Sequence, residues 1–422
     1  MTGAGTPPDA SRADGAAAIL RTTAAIRTRA EGLLARARRH ESRWFTVDGG
    51  ALQTTATLVS EVTRARYPDL DIPYHSRWRH FEAGQVARKA QLDHALAQAG
   101  IRDVAEVARI RIELALVSVL LDAGAGPDWR YQEAASGQTF TRSEGLGVAS
   151  FHAFMAGLFS GDPAQPFRAD AHGLRAVTAQ SLAAAFQVGP RNPLVGLEGR
   201  AQLLLRLGDA LAQQPAVFGQ TARVGGLYDH LLAASTYGPP MVHAHDLLSA
   251  LLTSLGSVWP APNAIGAISL GDCWRHPAVP GDGLTAGWMP FHKLSQWLAY
   301  SLLEPFVWAG VKITGLNSLT GLPEYRNGGL MLDAGVLRLK DPVVATATWQ
   351  VGDELVVEWR ALTVALLAEL APLVRAQLGL SEARMPLACV LEGGTWAAGR
   401  VLAQRLRDGS PPLNIQSDGT VF

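Results

Sequence analysis

The sequence has little cysteine, no excess of either charge and no long apolar run. Its two cysteines, Cys273 and Cys389, are too few for a disulfide framework or a cysteine-based zinc site, so a reducing compartment is expected. Lys plus Arg and Asp plus Glu both number 37, and this zero net charge argues against sequence-independent binding of nucleic acid. The best candidate for a membrane span, residues 297–311, is too short and contains Glu304 and Pro305.

The overall composition is that of a globular protein. Hydrophobic residues make up 48% of the 422 and charged residues 18%. Residues 1–14 lack the basic start and apolar run of a secretory signal. We therefore expect a soluble cytoplasmic protein with no nucleic-acid or membrane partner, and the composition leaves its oligomeric state open.

Apolar residues recur at helical spacing along most of the chain. This spacing predicts helices over 15–40, 52–65, 75–84, 110–121, 146–159, 171–187, 198–213, 243–255, 291–309, 354–378 and 393–409. Short strands are predicted over 311–314, 331–332 and 336–339, and the helix over 291–309 is expected to break or bend near Pro305. The predicted fold class is mainly α, a multi-helix globular protein with minor short strands.

The length of the chain predicts two or three domains. A GPRNP segment near residue 190 separates two helical blocks. We predict a disordered N-terminus over 1–14, an N-terminal helical domain over 15–190 and a C-terminal helical domain over 191–422 that carries most of the site. Residues 122–145 are expected to form a functional loop, and residues 257–290 an ordered irregular segment.

A lysine opens the apolar helix over 291–309. Lys293 has Gln296 three residues later on the same face. A cation at the start of a helix opposes the helix dipole, and a bound anion would offset that effect. The alternative is a surface lysine whose alkyl chain covers apolar neighbours.

Polar side chains are concentrated in the segment Glu324-Tyr325-Arg326-Asn327-Gly328-Gly329, which follows Pro323. A carboxylate there could stabilise an oxocarbenium-like centre or activate water, and the arginine could bind phosphate or orient the carboxylate. The alternative is a surface turn with a structural pair of Glu324 and Arg326.

Two charged residues, Glu358 and Arg360, lie inside the apolar helix over 354–378. Buried charges need partners, so these residues either form a structural pair or belong to a site.

The histidines do not form a recognisable metal motif. His243 and His245, next to Asp246, are two positions apart and do not face one another on a helix, and HExxH is absent. The GxSxG nucleophile motif and the GxxxxGK[ST] phosphate loop are also absent. We therefore expect neither a metal nor a cofactor. The glycines of Gly393-Gly394-Thr395 could bind an anion at a helix N-terminus, but helix capping is the simpler interpretation.

Long motifs distributed after about residue 40 resemble the uracil catabolism protein four family. The segments are HSRWRHFEAG, LLDAGAGPDWRYQE, RSEGLGVASF, LGDCWRHP, FHKLSQWLAYSLLEPFVWAG, LTGLPEYRNGGLMLDAGVL, VVEWRALTVALL, LEGGTWAAGR and SDGTVF. The resemblance implies a place in the pathway that opens the uracil ring through a ribosylurea-type intermediate.

A fainter resemblance, over about residues 120–370, is to the queuosine salvage family of helical N-glycosylases. Its aromatic-x-Lys-x-x-Gln helix matches Lys293 and Gln296, and its Glu-x-Arg motif matches Glu358 and Arg360. The Asp before its Tyr-Arg pair is replaced by Glu324, and a second acidic position falls on Ser301, which departs from a two-carboxylate mechanism. Its segment lining the nucleobase pocket is matched by Trp129 and Tyr131.

Together, the two resemblances imply hydrolysis of an N-glycosidic bond in a small-molecule substrate, ribosylurea or its 5′-phosphate. In this hypothesis Glu324 acts on the cationic centre, with Tyr325 and Arg326 orienting it. The predicted substrate-binding residues are Lys293, Gln296, Asn327, Glu358 and Arg360, with Trp129 and Tyr131 at the leaving group. Two alternatives remain, an amidohydrolase acting on a ureido group and a non-catalytic protein that binds and channels a ring-opened intermediate.

Overall fold

The computed structural model describes residues 7–122, 124–233, 238–259 and 263–416. The protein is 56% helical and its strands are short, which confirms the predicted mainly α fold class. The first six residues of the predicted disordered N-terminus and the SDGTVF motif at 417–422 lie outside the described residues.

The chain forms two compact units, and each is discontinuous in sequence. The first unit comprises Met1–His75, Pro260–Gln296 and Gly315–Phe422, and the second comprises Ser76–Trp259 and Trp297–Thr314. These limits differ from the predicted division near residue 190. The GPRNP segment is a turn inside the second unit, where Gly189 pairs with Asn192 and the Asn192 side chain accepts the Arg130 N–H at 2.8 Å.

The first unit contains a helical core and four small strand pairs. Its helices are α1 (Ala13–Leu20), α2 (Thr23–Arg38), α3 (Ala51–Arg66), the start of α14 (Lys293–Trp308), α15 (Tyr325–Asp333), α16 (Glu354–Leu378), α17 (Leu387–Val390) and α18 (Trp396–Arg407). Its strands are β1 (Phe45–Val47), β5 (Ala264–Ile265), β6 (Ile268–Ser269), β7 (Cys273–Arg275), β8 (Trp288–Pro290), β10 (Leu337–Leu339), β11 (Thr348–Gln350) and β12 (Asn414–Gln416).

Two strand pairs of the first unit are local hairpins, and two join segments that are distant in sequence. β5 pairs with β6, β7 with β8 and β1 with β10, all antiparallel, and β11 pairs in parallel with β12. The irregular segment predicted over 257–290 therefore contains two short hairpins in its described part. The β7–β8 hairpin pairs Cys273 with Pro290. It therefore brings their chain neighbours, Asp272 and Phe291, to the same end of the hairpin, where the candidate site lies.

Helix α16 is the core helix of the first unit. It packs against α2 and α3, and its side chains are buried without interruption from Leu355 to Leu367, which is more than three turns. By length and composition it could cross a membrane, but 61% of its most apolar window is buried inside the protein, as in the core helix of a globular domain. Helix α15 lies close to it at Gly328, where a Cβ would come within 2.6 Å of the Trp359 ring.

A π-helical turn over Leu391–Thr395 joins α17 to α18. Its glycines let the backbone lie directly on α3, since a Cβ on Gly394 would stand 2.5 Å from both Thr63 Oγ1 and Val59 O. The glycines therefore permit close packing of the π-helical turn on α3. They do not cap a helix, as the sequence had suggested.

The second unit is built around the apolar helix α6. Its helices are α4 (Trp78–Phe81), α5 (Arg88–Gln98), α6 (Val104–Leu120), α7 (Arg142–Met155), α8 (Ala171–Ala176), α9 (Ala179–Ala185), α10 (Leu197–Ala212), α11 (Pro215–Phe218), α12 (Gly226–Leu232), α13 (Ala244–Ser254) and the remainder of α14. Its strands are β2 (Arg130–Glu133), β3 (Gln138–Thr141), β4 (Met241–His243) and β9 (Lys312–Thr314); β2–β3 is an antiparallel hairpin and β4–β9 a parallel pair.

Two local predictions are wrong, and the break that was one of two possibilities at Pro305 does not occur. The stretch over 122–145 is not one loop, because it contains the β2–β3 hairpin and the first turn of α7. Residues 331–332 belong to α15 and not to a strand. Helix α14 continues through Pro305, which cannot donate to the Ser301 carbonyl four residues earlier. The Trp78 indole donates to that carbonyl instead, at 3.1 Å, so the missing helical bond is replaced.

Candidate functional site

A buried ion pair between Asp272 and Arg360 organises the first unit. Two guanidinium nitrogens of Arg360 donate to the two Asp272 oxygens at 2.8 and 2.7 Å, and the side chains are 1% and 6% exposed. The Arg360 guanidinium also lies 4.1 Å from the centre of the Phe291 ring. Burial on its own raises the pKa of Asp272, but the charge and hydrogen bonds of Arg360 hold it below its ordinary value.

The same ion pair is bonded to the backbone at the start of α14 and just before the N-cap of α15. Asp272 Oδ2 accepts the backbone N–H of Lys293, the first residue of α14, at 2.9 Å. Arg360 Nε donates to the carbonyl of Pro323 at 3.2 Å, directly before Glu324. The pair therefore positions Lys293 and Glu324 together, although they are separated by about thirty residues in the chain.

Glu324 is the N-cap of α15. Its two carboxylate oxygens accept the backbone N–H groups of Asn327 and Arg326, each at 2.6 Å. Burial raises the pKa of Glu324, and those two N–H groups with the charges of Lys293 and His75 lower it in part, so that the pKa stays above its ordinary value. A carboxyl group of this kind can hold or accept a proton closer to neutral pH than an exposed one.

The three residues after Glu324 have different surroundings. Tyr325 is 40% exposed. Arg326 is buried, and its guanidinium donates to the Gly409 carbonyl at 3.0 Å, so the carboxylate of Glu324 is bonded to the Arg326 backbone and not paired with its guanidinium. Asn327 is fully buried; its Nδ2 donates to Leu322 O at 3.1 Å, and its Oδ1 has no hydrogen-bond partner in the described chain.

Gln296 supports the segment that leads to Glu324. It is fully buried, its Oε1 accepts the Thr320 N–H at 2.9 Å, and its Nε2 donates to Thr320 Oγ1 and to Phe291 O. In the structure Gln296 is therefore a positioning residue, and a direct contact with substrate stays a prediction. Lys293, at the start of the same helix, is partly exposed.

Glu358 belongs to a group of side chains with metal-ligand chemistry that the sequence did not reveal. Single ligand atoms of His276, Glu354 and Glu358 lie within 4.8 Å of one another. However, His276 Nδ1 accepts the Ala278 N–H at 3.2 Å, which places the proton of the neutral ring on Nε2, 3.6 Å from Glu358. A protonated Nε2 cannot coordinate a cation, so the group is arranged as a proton donor beside a carboxylate.

Trp129 and Tyr131 lie in the second unit. Trp129 is fully buried and its Nε1 donates to Phe186 O at 3.0 Å, while Tyr131 stacks on His152 at a ring distance of 6.1 Å. Their predicted role at the leaving group stays a prediction.

A second polar cluster in the first unit surrounds Glu392 in the π-helical turn. The carboxylate accepts Arg66 at 2.7 Å and Tyr67 at 2.9 Å on one oxygen, and contacts His75 Nδ1 at 2.9 Å on the other. Although burial raises it, the hydrogen bonds and charges of His75 and Arg66 lower the pKa of Glu392 to about 2. Glu392 is thus an anion at neutral pH.

Sequence analysis missed Asp272, His75 and Glu392 as site residues. All three occur inside motifs quoted for the family resemblance, LGDCWRHP, HSRWRHFEAG and LEGGTWAAGR, and that shared context was the available signal. In the first unit, the charges of Lys293 and His75 both act on the carboxyl group of Glu324 and lower its pKa in part. Such a set can stabilise positive charge, bind an anion and move protons.

Comparison with known proteins finds a matching family and relatives of similar length. The family described as "Protein of unknown function (DUF1688)" matches residues 19–422. Protein urg3 of Schizosaccharomyces pombe is 38% identical over 405 residues, which are 94% of this chain and 96% of the yeast protein. Uracil catabolism protein 4 of Lachancea kluyveri is 40% identical over 378 residues, 83% of this chain and 85% of the relative.

We expect Asp272→Asn to destabilise the protein by about 3–5 kcal/mol at pH 7, since it leaves the Arg360 charge buried without its anion. The matched control is Glu369→Gln, which removes the carboxylate of an exposed pair with Arg38 and should cost at most about 1 kcal/mol. Chemical denaturation measures both values. Equal small losses of stability would contradict the conclusion that the fold depends on the pair.

The contribution of Asp272 to the free energy of unfolding depends on pH. Because the pKa of Asp272 is lowered in the folded protein, this contribution is complete above the unfolded pKa of about 3.9 and is lost as the pH falls through the folded value.

We expect dialysis against EDTA, or addition of Mn²⁺ or Zn²⁺, to leave the thermal midpoint unchanged, because the hydrogen bond from Ala278 sets the wrong tautomer of His276 for coordination. Differential scanning calorimetry tests this. A midpoint that rises with either ion in the wild type and not in Glu358→Gln would show that His276, Glu354 and Glu358 do bind a cation.

Proposed function

The chain belongs to the family of unknown function DUF1688, and from this premise we propose that it acts in uracil catabolism as an N-glycosidase. The proposed reaction is hydrolysis of the bond between ribose and urea in ribosylurea or its 5′-phosphate. The printed name of a relative that is 40% identical, Uracil catabolism protein 4, supports the pathway. We also propose that the protein is cytoplasmic.

The observation that carries the proposed reaction is the environment of the Glu324 carboxyl group. Cleavage of an N-glycosidic bond develops positive charge at C1′, and a carboxylate next to that carbon stabilises it. Backbone N–H groups hold both oxygens of Glu324. The carboxylate therefore does not have to move when positive charge develops at C1′. Its raised pKa also suits the removal of a proton from the attacking water.

Lys293 supplies the positive charge that a phosphorylated substrate needs. It lies at the N-terminus of α14, where the helix dipole also favours an anion. Its charge acts on Glu324, so an anion bound by Lys293 would lie near the reacting carbon. We propose that Lys293 binds the 5′-phosphate or the sugar hydroxyls.

The remaining predicted residues fit supporting roles. Arg360 is 1% exposed and is bonded to Asp272 and Pro323, so we propose that it fixes the position of Glu324 and Lys293. Asn327 carries a buried Oδ1 that has no hydrogen-bond partner among the described residues, and this oxygen could accept a hydrogen bond from a sugar hydroxyl.

We expect Glu324→Gln to reduce turnover by about 10²–10⁴-fold while ligand affinity stays nearly the same, because the amide keeps the shape and loses the negative charge. The assay measures urea released from ribosylurea and from its 5′-phosphate, with the thermal midpoint taken on the same preparation. Glu369→Gln, an exposed glutamate of α16, is the matched control and should keep full activity.

Three outcomes would contradict the role of Glu324 or the proposed reaction. A destabilised variant that keeps its turnover per folded molecule would reduce Glu324 to the N-cap of α15. Release of ammonia in place of urea by the wild type would favour an amidohydrolase, and binding without any product would favour a channelling protein.

We expect Lys293→Ala to weaken binding of the phosphorylated substrate by roughly tenfold to a hundredfold and to leave the unphosphorylated substrate almost unaffected, since a charge-assisted hydrogen bond contributes about 1.5–3 kcal/mol. Isothermal titration with both ligands on the Glu324→Gln background measures this. Lys312→Ala, at an exposed lysine in the second unit, is the matched control. Equal weakening of both ligands would give Lys293 a structural role.

A further inference from the structure

The second unit contains a cavity of about 420 Å³ that the proposed function does not use. This volume lies in the range of small-molecule sites. Residues 215–218, which form α11, give the cavity an apolar wall. Its polar wall carries the guanidinium groups of Arg109 and Arg223 and the carboxylates of Glu106 and Asp229.

The two arginines differ in how fully their donors are used. Arg109 donates from Nε and Nη2 to Asp229, each at 2.8 Å, and from Nη1 to Glu106 at 2.9 Å. Arg223 donates from Nε to Glu113 at 2.9 Å, and its Nη1 lies 2.8 Å from Glu106. Nη2 of Arg223 donates no hydrogen bond to any residue that the structure describes, and it is accessible to solvent. Arg223 therefore offers a charged donor to the cavity.

The carboxyl group that accepts Nε of Arg223 is completely buried. Glu113 also accepts the backbone N–H groups of Ala169 at 2.8 Å and Gly225 at 3.1 Å. Gly225 is needed at this point, because a Cβ would stand 2.6 Å from Oε1 of Glu113. Burial raises the pKa of Glu113 to about 7, and the charge and hydrogen bonds around it offset this increase only in part. Near neutral pH, Glu113 is thus ionised in only a fraction of the molecules.

The charge around the cavity depends on this one proton. The charged groups come from α6, from α12 with the turn before it, and from the segment before α8; they are Glu106, Arg109, Glu113, Arg223, Asp229, Arg168 and Asp170. Arg168 and Asp170 lie 3.7 Å apart and offset each other. The other three carboxylates and two guanidinium groups have a net charge of −1, which becomes zero when Glu113 is protonated.

We propose that this cavity is a second ligand site, which binds a small organic oxyanion through Nη2 of Arg223 and takes up a proton on Glu113 as it does so. Arginine forms charge-assisted hydrogen bonds with carboxylate and phosphoryl oxygens alike. The apolar part of the ligand packs against α11. An anion on Arg223 competes with ionised Glu113 for the same guanidinium group, so it binds best when Glu113 is neutral. The site is independent of the proposed N-glycosidase reaction.

The test measures binding of small probes to the full-length protein by isothermal titration calorimetry. Propionate carries a carboxylate, and propanesulfonate carries a sulfonate in place of a phosphoryl group; neither titrates between pH 6 and pH 8. We expect binding to be about tenfold tighter at pH 6 than at pH 8, because the fraction of molecules with neutral Glu113 changes by about that factor around a pKa of about 7. Titrations in buffers of different ionisation enthalpy should show proton uptake. Propionamide, which has the shape of propionate without its charge, should not bind. The anion that binds more tightly identifies the ligand as a carboxylate or a phosphoryl compound.

Four variants separate the contributions. Arg223→Gln should abolish binding at both pH values. Glu113→Gln should bind the anions at pH 8 as tightly as the wild type binds them at pH 6. His230 also lines the cavity, and histidine exchanges protons in this range, so His230→Asn should keep the pH dependence if Glu113 is its source. The matched control is Arg175→Gln, which removes an exposed partner of Asp209 outside the cavity lining and should change nothing.

Three results would overturn this proposal. The first is a wild-type protein that binds neither anion, and the second is binding that survives Arg223→Gln. The third is wild-type binding that is equal at pH 6 and pH 8 without proton uptake. The pH comparison uses the wild type, so it decides the question even if Glu113→Gln does not fold. None of these results bears on the release of urea, which tests the proposed function separately.

Discussion

The buried pair of Asp272 and Arg360 is the constraint on which the candidate site depends. Two charges that are almost completely removed from water are stable only when each finds the other and their remaining polar atoms are also bonded. Arg360 meets this condition through Asp272 and the Pro323 carbonyl, and Asp272 through Arg360, Trp274 and the Lys293 backbone. The same bonds that satisfy the two charges therefore place the starts of α14 and α15 relative to each other.

Glu324 shows how one side chain can serve both the fold and the chemistry. As the N-cap of α15 it satisfies two backbone donors, which is a structural task. The burial that makes this cap tight also raises its pKa, and a carboxyl group with a raised pKa suits proton transfer. A structural role is thus no argument against a catalytic one, and turnover must be separated from stability by experiment.

The cluster around Glu392 follows a different design from that around Glu324. Glu392 receives bonds from Arg66, Tyr67 and His75, so its pKa is low and it remains an anion. Burial raises the pKa of Glu324, and the two backbone donors and the charges of Lys293 and His75 offset this increase only in part. The pKa values of two carboxyl groups in one unit are thus shifted in opposite directions. Enzymes use such a difference to assign acid and base roles to different residues.

Periodicity and composition determined the helices and the fold class, because the spacing of apolar residues is local information. Helix α16 over residues 354–378 and the strand near residue 338 could be predicted in this way, and so could the candidate segment Glu324–Asn327. Tertiary structure alone decided the partners. Asp272 binds Arg360 across 88 residues and His75 binds Glu392 across 317, and no local pattern encodes such a pairing. It also decided that Pro305 stays within a helix, because the Trp78 indole takes the carbonyl that proline leaves unbonded.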